Sequence, residues 1–176
     1  MSAAVFASLV ASLDPPMVVV TAAAGDERAG CLVGFHSQSS IDPARYCVWL
    51  SKANHTYRVT LLAAHVGIHL LTDGDRELAE VFGTVSGDDV DKFALVEAEA
   101  GAEGVPVLAG CPHRLVARKT AVLDEGGDHV CVVTEPVEAA TTGPFVPLRL
   151  SAVADLHPGH APADRPNPPT ERAPRR

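Results

Sequence analysis

Aromatic residues and positive charge are both scarce in this 176-residue sequence. Phe, Trp and Tyr make up 5% of the chain, so a core must be built from Val, Ala and Leu, and short Val-rich runs favour strands. Lys and Arg number 14 against 22 Asp and Glu, which gives a formal net charge of -8. That sign is wrong for a protein that binds nucleic acid by neutralising phosphates, so we expect no nucleic-acid partner.

Long apolar runs are also absent from the sequence. A membrane span needs about 18 or more apolar residues, and Asp14, Pro15 and Pro16 interrupt the N-terminal apolar region well before that length. No Lys or Arg precedes Arg28, so the positive start of a secretory signal is missing. We therefore expect a soluble, cytoplasmic protein with no membrane contact.

The spacing of cysteine and histidine argues against a metal centre. The sequence contains four widely spaced cysteines, Cys31, Cys47, Cys111 and Cys131. Because they form no CxxC pair, buried free thiols are favoured over a disulfide or a metal site. His65 and His69 lie four residues apart, but the segment is predicted as a strand and has no acidic partner, so we predict no metal site.

Hydrophobic patterning predicts six or seven short strands with inserted helices. Strands are predicted at residues 17–22, 29–33, 45–51, 65–72, 114–123, 130–138 and 146–150. Helical segments are predicted at residues 3–13, 54–64, 73–82 and 87–93, and residues 36–43 form a polar segment typical of a loop. Hairpin connections favour a closed antiparallel barrel over a doubly wound parallel sheet. Neither GxGxxG nor GxxxxGK[ST] is present, so a Rossmann or Walker nucleotide site is not supported.

The composition changes near His157. Residues 157–176 are rich in proline and contain little that can pack, so we predict one domain over residues 1–156 followed by a flexible tail. A tail that drapes over a partner subunit is the alternative.

Two polar clusters bracket the strand predicted at residues 45–51. The second cluster, residues 51–56, is a strand-to-helix junction with Asn54 as the predicted N-cap. Free N–H groups and the positive dipole end at a helix start favour an anion, and Lys52 adds a full positive charge. We therefore predict a phosphate-sized anion site at this corner. Further hydroxyl donors are predicted from Ser37, Ser39, Ser40 and Thr56. Ordinary capping and turn formation is the alternative for the same residues.

The residues around these clusters resemble the flavin reductase family, whose split-barrel domain binds FMN. Residues 30–44 are similar, without gaps, to the family segment Gly-Met-Thr-Ala-Ser-Ser-Phe-Thr-Ser-Val-Ser-Leu-Asp-Pro-Pro, and residues 46–56 to the strand and polar loop that follow it. Further likeness lies at residues 17–21, 77–83, 91–93 and 127–129. Residues 32–35 are Leu-Val-Gly-Phe where the family has Thr-Ala-Ser-Ser, and Ala44 replaces the second proline. Backbone and apolar contacts would then replace side-chain hydrogen bonds to the flavin ring.

The resemblance implies a mainly β fold, a split antiparallel β-barrel with inserted short helices. It also implies an NAD(P)H-dependent flavin oxidoreductase that binds FMN or FAD, forms a homodimer with the flavin at the interface, and supplies reduced flavin to a monooxygenase. The cofactor-binding residues it implies are Gly34, Phe35, His36, Ser37, Gln38, Ser39, Ser40, Ser51, Lys52, Asn54, His55 and Thr56.

His129, which follows Gly127 and Asp128, is the catalytic residue that the resemblance implies, in contact with nicotinamide or flavin. An exposed histidine in a hairpin turn is the alternative. Phe35 and Trp49 are candidates to flank the flavin ring, with a core position as the alternative for Trp49. Two other functions stay open: a deazaflavin- or pyridoxamine-phosphate-oxidase-like enzyme on this scaffold, and a non-catalytic flavin- or haem-binding module.

Overall fold

A computed structural model describes residues 2–159, and their strands form a curled antiparallel sheet. Its seven strands follow the order β2-β1-β5-β8-β9-β4-β3, and β6 and β7 pair separately. β2, at one end of the sheet, also contacts β4 near the other end, so the sheet curls into a half-barrel. The predicted mainly β, antiparallel barrel class is confirmed. The strands are β1 (Val18–Ala24), β2 (Glu27–Val33), β3 (His36–Ser40), β4 (Arg45–Ser51), β5 (His65–Leu70), β6 (Ala98–Ala100), β7 (Pro106–Leu108), β8 (Arg114–Leu123) and β9 (His129–Ala140).

Successive side chains of each strand point alternately to the barrel interior and to an outer face. In β4, Val48 and Leu50 are buried in the interior core, so Trp49 and Ser51 lie on the opposite face. Cys131 of β9 pairs with Trp49 and shares that outer face. The interior core is almost entirely aliphatic, as the low aromatic content predicts.

Within residues 2–159, three helices complete the fold: α1 (Ala3–Ala11), α2 (His55–Leu62) and α3 (Arg76–Thr84). α2 places Val59 in the interior core, which fixes the loop between β4 and α2 at the open edge of the barrel. α3 packs Phe82 against the outside of β2 in a second core. No helix within residues 2–159 is both long and apolar enough to cross a bilayer.

Two of the predicted elements are wrong. The polar segment at residues 36–43 contains β3, an edge strand that pairs with β4. Edge strands need no buried face, and β3 lacks the apolar alternation by which strands are recognised. The strand predicted at residues 146–150 is replaced by isolated bridges from Pro147 and Arg149 and a 3-10 turn at Leu150–Val153. Pro147 has no N–H to donate to a ladder.

Two other regions differ in extent. The helical turn predicted at residues 87–93 is a 3-10 turn at Lys92–Ala94, whose start is capped by the Asp91 carboxylate accepting from the Phe93 amide at 3.0 Å. β6 and β7 were not predicted, since three residues are too few for a periodicity to show. β7 is held in place by the Thr21 hydroxyl, which donates to the Pro106 carbonyl at 2.6 Å.

Candidate functional site

A cavity of about 360 Å³ lies between β2, the end of α3 and the C-terminal segment; we call it the main cavity. Leu32, Phe82 and Val153 supply an apolar wall, and Ser51, Asn54, Asp128 and His129 supply a polar edge. An apolar cavity with a few polar groups on one side is typical of small-molecule sites. Its chemistry fits a small molecule with an apolar body and hydrogen-bonding groups along one side.

His129 lies at the boundary between this cavity and a second one. It begins β9 and pairs with Ser51 at the end of β4, which brings two distant parts of the chain together. The Asp128 carboxylate lies 2.9 Å from its Nδ1, and its ring lies 5.2 Å from that of Phe35, edge to face. The second cavity, about 350 Å³, is on the outer face beside Trp49 and Leu123; we call it the outer cavity. Asp128 and His129 line both cavities.

The first polar cluster divides between the site and the sheet edge. Gly34 lies against the Met17 sulfur, and Met17 lines the main cavity. His36 turns away: its Nδ1 lies 2.7 Å from the Tyr46 hydroxyl, and its Nε2 donates to the Pro16 carbonyl at 2.9 Å. Burial lowers the pKa of His36, and the hydrogen bond to Pro16 opposes that shift.

The remaining residues of the first cluster lie along β3. Ser37, Gln38 and Ser39 are exposed on this edge strand, and Ser40 is half-buried at its end. The Ser39 hydroxyl accepts from the Cys47 thiol at 3.1 Å. Within one chain, residues 36–40 therefore do not line the main cavity.

The second cluster contributes two side chains to the main cavity and buries a third. Ser51 and Asn54 line the cavity. Within residues 2–159, the Asn54 side chain makes no capping hydrogen bond to α2. Thr56 is buried, with its hydroxyl against the Cys31 thiol. Burial raises the pKa of Cys31, so this thiol is neutral.

Carboxylates from other parts of the chain surround the predicted anion corner. The Lys52 ammonium lies 2.8 Å from Asp124, and this hydrogen bond lowers the pKa of the Asp124 carboxyl. His55 faces a separate acidic cleft, 3.2 Å from Glu27 and 3.1 Å from Asp88. These groups offset the positive potential of the helix start. Phosphate binding at this corner stays a prediction.

The sequence did not single out the apolar wall of the main cavity. Phe82 ends the helical segment predicted at residues 73–82, and the C-terminal residues Val153, Leu156 and Pro158 reach the cavity from a region with no motif. Arg76 of α3 holds this segment by an ion pair to Asp155 at 2.7 Å. Residues 160–176, most of the predicted tail, lie outside the described part of the chain.

The close approach of β2 to α3 makes Gly30→Ala a test of the apolar wall. A Cβ at Gly30 would lie 2.6 Å from Cε1 of Phe82, so this ring, which lines the main cavity, must move. We expect a loss of about 1–3 kcal/mol in the free energy of unfolding and weaker binding of the flavin that the resemblance implies. Denaturant unfolding and fluorescence titration with FMN measure both. Gly110→Ala is the control, because its Cβ would meet Leu78 only at 4.0 Å. Unchanged stability and affinity in Gly30→Ala would show that the wall is not tightly packed.

A family model described as "Flavin reductase like domain" matches residues 9–148. The structure is a curled antiparallel half-barrel with a cavity beside its open edge. The chain belongs to this family. The resemblance inferred from residues 30–56 is thereby confirmed.

Named relatives agree with the family. The chain is 30% identical over 154 residues to the NADH:riboflavin 5'-phosphate oxidoreductase of Streptomyces pristinaespiralis, covering 86% of this chain and 85% of that protein. It is 29% identical over 138 residues to the FMN reductase (NADH) SmoA of Agrobacterium fabrum, covering 77% and 75%. The solved structure of the NADH:FAD oxidoreductase SgcE6 of Streptomyces globisporus C-1027 is similar, with a TM-score of 0.63, 26% identity and coverage of 72% and 75%.

Proposed function

We propose that this protein is a flavin reductase that transfers hydride from NADH or NADPH to FMN, with FAD as the alternative flavin. The observation that carries the proposal is the main cavity, in which an apolar wall faces a polar edge that includes His129. Family membership and the two NADH-dependent relatives support the same chemistry.

The residues of the main cavity suit the parts of a flavin. Leu32 and Phe82 offer apolar surface to the ring system, while Ser51 and Asn54 offer hydrogen-bonding groups to its polar edge or ribityl chain. The bound flavin accepts hydride from the nicotinamide, so the chain needs to hold the two rings together rather than supply an acid or base. We assign His129, at the boundary of both cavities, to contact with the nicotinamide.

Anaerobic mixing with NADH tests the proposed activity directly. Purified protein loaded with FMN is expected to lose the flavin absorbance band on addition of NADH or NADPH, at a rate that saturates with nicotinamide. A protein that binds FMN without bleaching would be a plain flavin-binding module. Failure to bind any flavin would overturn the proposal.

Lys52→Glu tests whether the flavin phosphate binds at the start of α2. We expect this variant to bind FMN about tenfold more weakly and riboflavin nearly as wild type, because riboflavin carries no phosphate. Asp124→Asn is the matched variant: it removes the carboxylate 2.8 Å from the Lys52 ammonium and should strengthen FMN binding. Isothermal titration with both ligands measures the effect. Equal losses for FMN and riboflavin would place the phosphate elsewhere.

We also propose a homodimer that covers the outer face of the sheet. Phe35 and Leu123 are 52% and 50% exposed there, beside the half-buried Trp49. Large apolar side chains clustered on a surface are typical of an interface. Leu123→Glu is expected to give a monomer by light scattering and to weaken FMN binding, whereas Leu62→Glu, at another exposed leucine, should leave the oligomer intact. A wild-type monomer at micromolar concentration would contradict the dimer.

Reduced flavin is a diffusible product, so we propose a monooxygenase as its consumer. The four free thiols fit a reducing compartment, and we propose the cytoplasm.

A further inference from the structure

Lys92 holds a positive charge behind the apolar wall of the main cavity. The residue is 5% exposed, and its ammonium donates to the carbonyls of Gly30 at 3.0 Å and Phe82 at 3.1 Å. The ammonium lies 5.7 Å from the centre of the Phe82 ring. Phe82 also lines the main cavity, so one side chain contacts both the buried cation and the proposed flavin site.

Lys92 also lines the acidic cleft, together with the acidic groups Asp88 and Asp91. Asp88 and Asp91 have side chains 49% and 58% exposed, and they pair with Arg58 and Arg28. Water screens charges that are exposed to this degree. Toward Phe82 the surroundings are buried, and there the field of the ammonium is much less screened.

We infer that Lys92 raises the reduction potential of the flavin bound in the main cavity. This inference rests on the proposed function. Hydride transfer from NADH or NADPH delivers two electrons and one proton, so the reduced flavin carries one negative charge until it takes up a second proton. A fixed positive charge in a poorly screened site stabilises that reduced form relative to the oxidised one. Lys92 thus acts through the wall and does not touch the reacting atoms.

Lys92 also ties β2 to α3, so the test must separate charge from packing. We choose Lys92→Gln, which removes the charge and keeps an N–H donor, and Lys92→Arg, which keeps both. The dissociation constants of oxidised and reduced FMN are measured anaerobically for each variant, with thermal unfolding as the check on folding. Lys119→Gln is the matched control, since Lys119 also donates to two carbonyls, those of Thr60 and Leu61, at 2.7 Å, and does not line the main cavity.

We expect Lys92→Gln to weaken the binding of reduced FMN about tenfold more than that of oxidised FMN. A tenfold change in this ratio is a fall of about 30 mV in the midpoint potential of a two-electron couple. Lys92→Arg and Lys119→Gln should keep the wild-type ratio. Equal weakening of both redox forms in Lys92→Gln would show a structural role only and would overturn the inference.

A measurement on the wild-type protein can still overturn the inference where Lys92→Gln does not fold. The absorbance of reduced FMN in the complex is followed as the pH is lowered. Its second proton should bind about one pH unit lower than in free reduced FMN, which corresponds to a tenfold effect. Proton uptake at the same pH as in free FMN would refute the role of Lys92 while leaving the reductase proposal intact. A wild-type protein that binds no flavin would overturn both.

Discussion

His129→Ala is expected to lower kcat/KM for NADH-dependent FMN reduction about 100-fold. The imidazole lies at the boundary of the main and outer cavities, with the Asp128 carboxylate on its Nδ1 and the Phe35 ring 5.2 Å away. Two contacts that fix one side chain at this boundary indicate a group that positions a ligand, and the loss of positioning by about 1 Å costs a reaction of this kind about 100-fold. Steady-state kinetics with varied NADH measure the effect.

The control for this variant is His65→Ala, at a half-buried histidine that does not line either cavity. It should retain wild-type kinetics. His129→Ala should also keep the wild-type unfolding temperature and FMN affinity, since the side chain is 31% exposed and takes no part in the hydrophobic cores. Wild-type kcat/KM in His129→Ala would show that the residue is an ordinary turn histidine.

The barrel was predictable because its strands bury one face each. In β1, β4 and β5 the Val, Leu and Ile side chains supply runs that a single sequence displays directly. β3 was missed because an edge strand with Ser37, Gln38 and Ser39 exposed carries no such signal. The bridges at Pro147 and Arg149 depend on contacts with Thr72 and Pro16, which no local pattern reveals.

The candidate site was predictable only in part, for an electrostatic reason. Ser51, Asn54 and His129 meet as expected because β4 and β9 pair in register. The charge at the start of α2 was not predictable, since Asp124 and Asp88 reach it from turns far away in the sequence. A motif states which charges a loop carries, whereas the potential depends on every carboxylate that the fold brings nearby.

Acidification from pH 7 to pH 4 is expected to cost about 3 kcal/mol of folding free energy through His69 alone. This side chain is fully buried; its Nε2 accepts from the Leu108 amide at 3.1 Å, so its Nδ1 donates to the Val19 carbonyl at 3.2 Å. Protonation of Nε2 would place its N–H against the N–H of Leu108, so two donors would face each other without an acceptor. Burial, the main cause, lowers the pKa of His69 to about 4 from 6.5.

The sign of this effect follows from proton uptake. Between pH 6.5 and about 4 the unfolded chain binds a proton at His69 that the folded chain does not, so stability is complete above that window and falls as the pH decreases through it. A shift of about 2.5 units at about 1.4 kcal/mol each costs about 3.5 kcal/mol in full, of which about 3 kcal/mol is lost by pH 4, where the folded imidazole is half protonated. Burial also lowers the pKa of His36, which adds a contribution of the same sign.

His69→Gln separates this contribution from the other titrating groups. Glutamine can offer a donor and an acceptor but does not titrate, so the variant should be less stable at pH 7 and lose much less stability than wild type on acidification. Urea unfolding at pH 7, 6, 5 and 4.5 measures the slopes. A wild-type slope in His69→Gln would show that β7 does not depend on a neutral imidazole at this position.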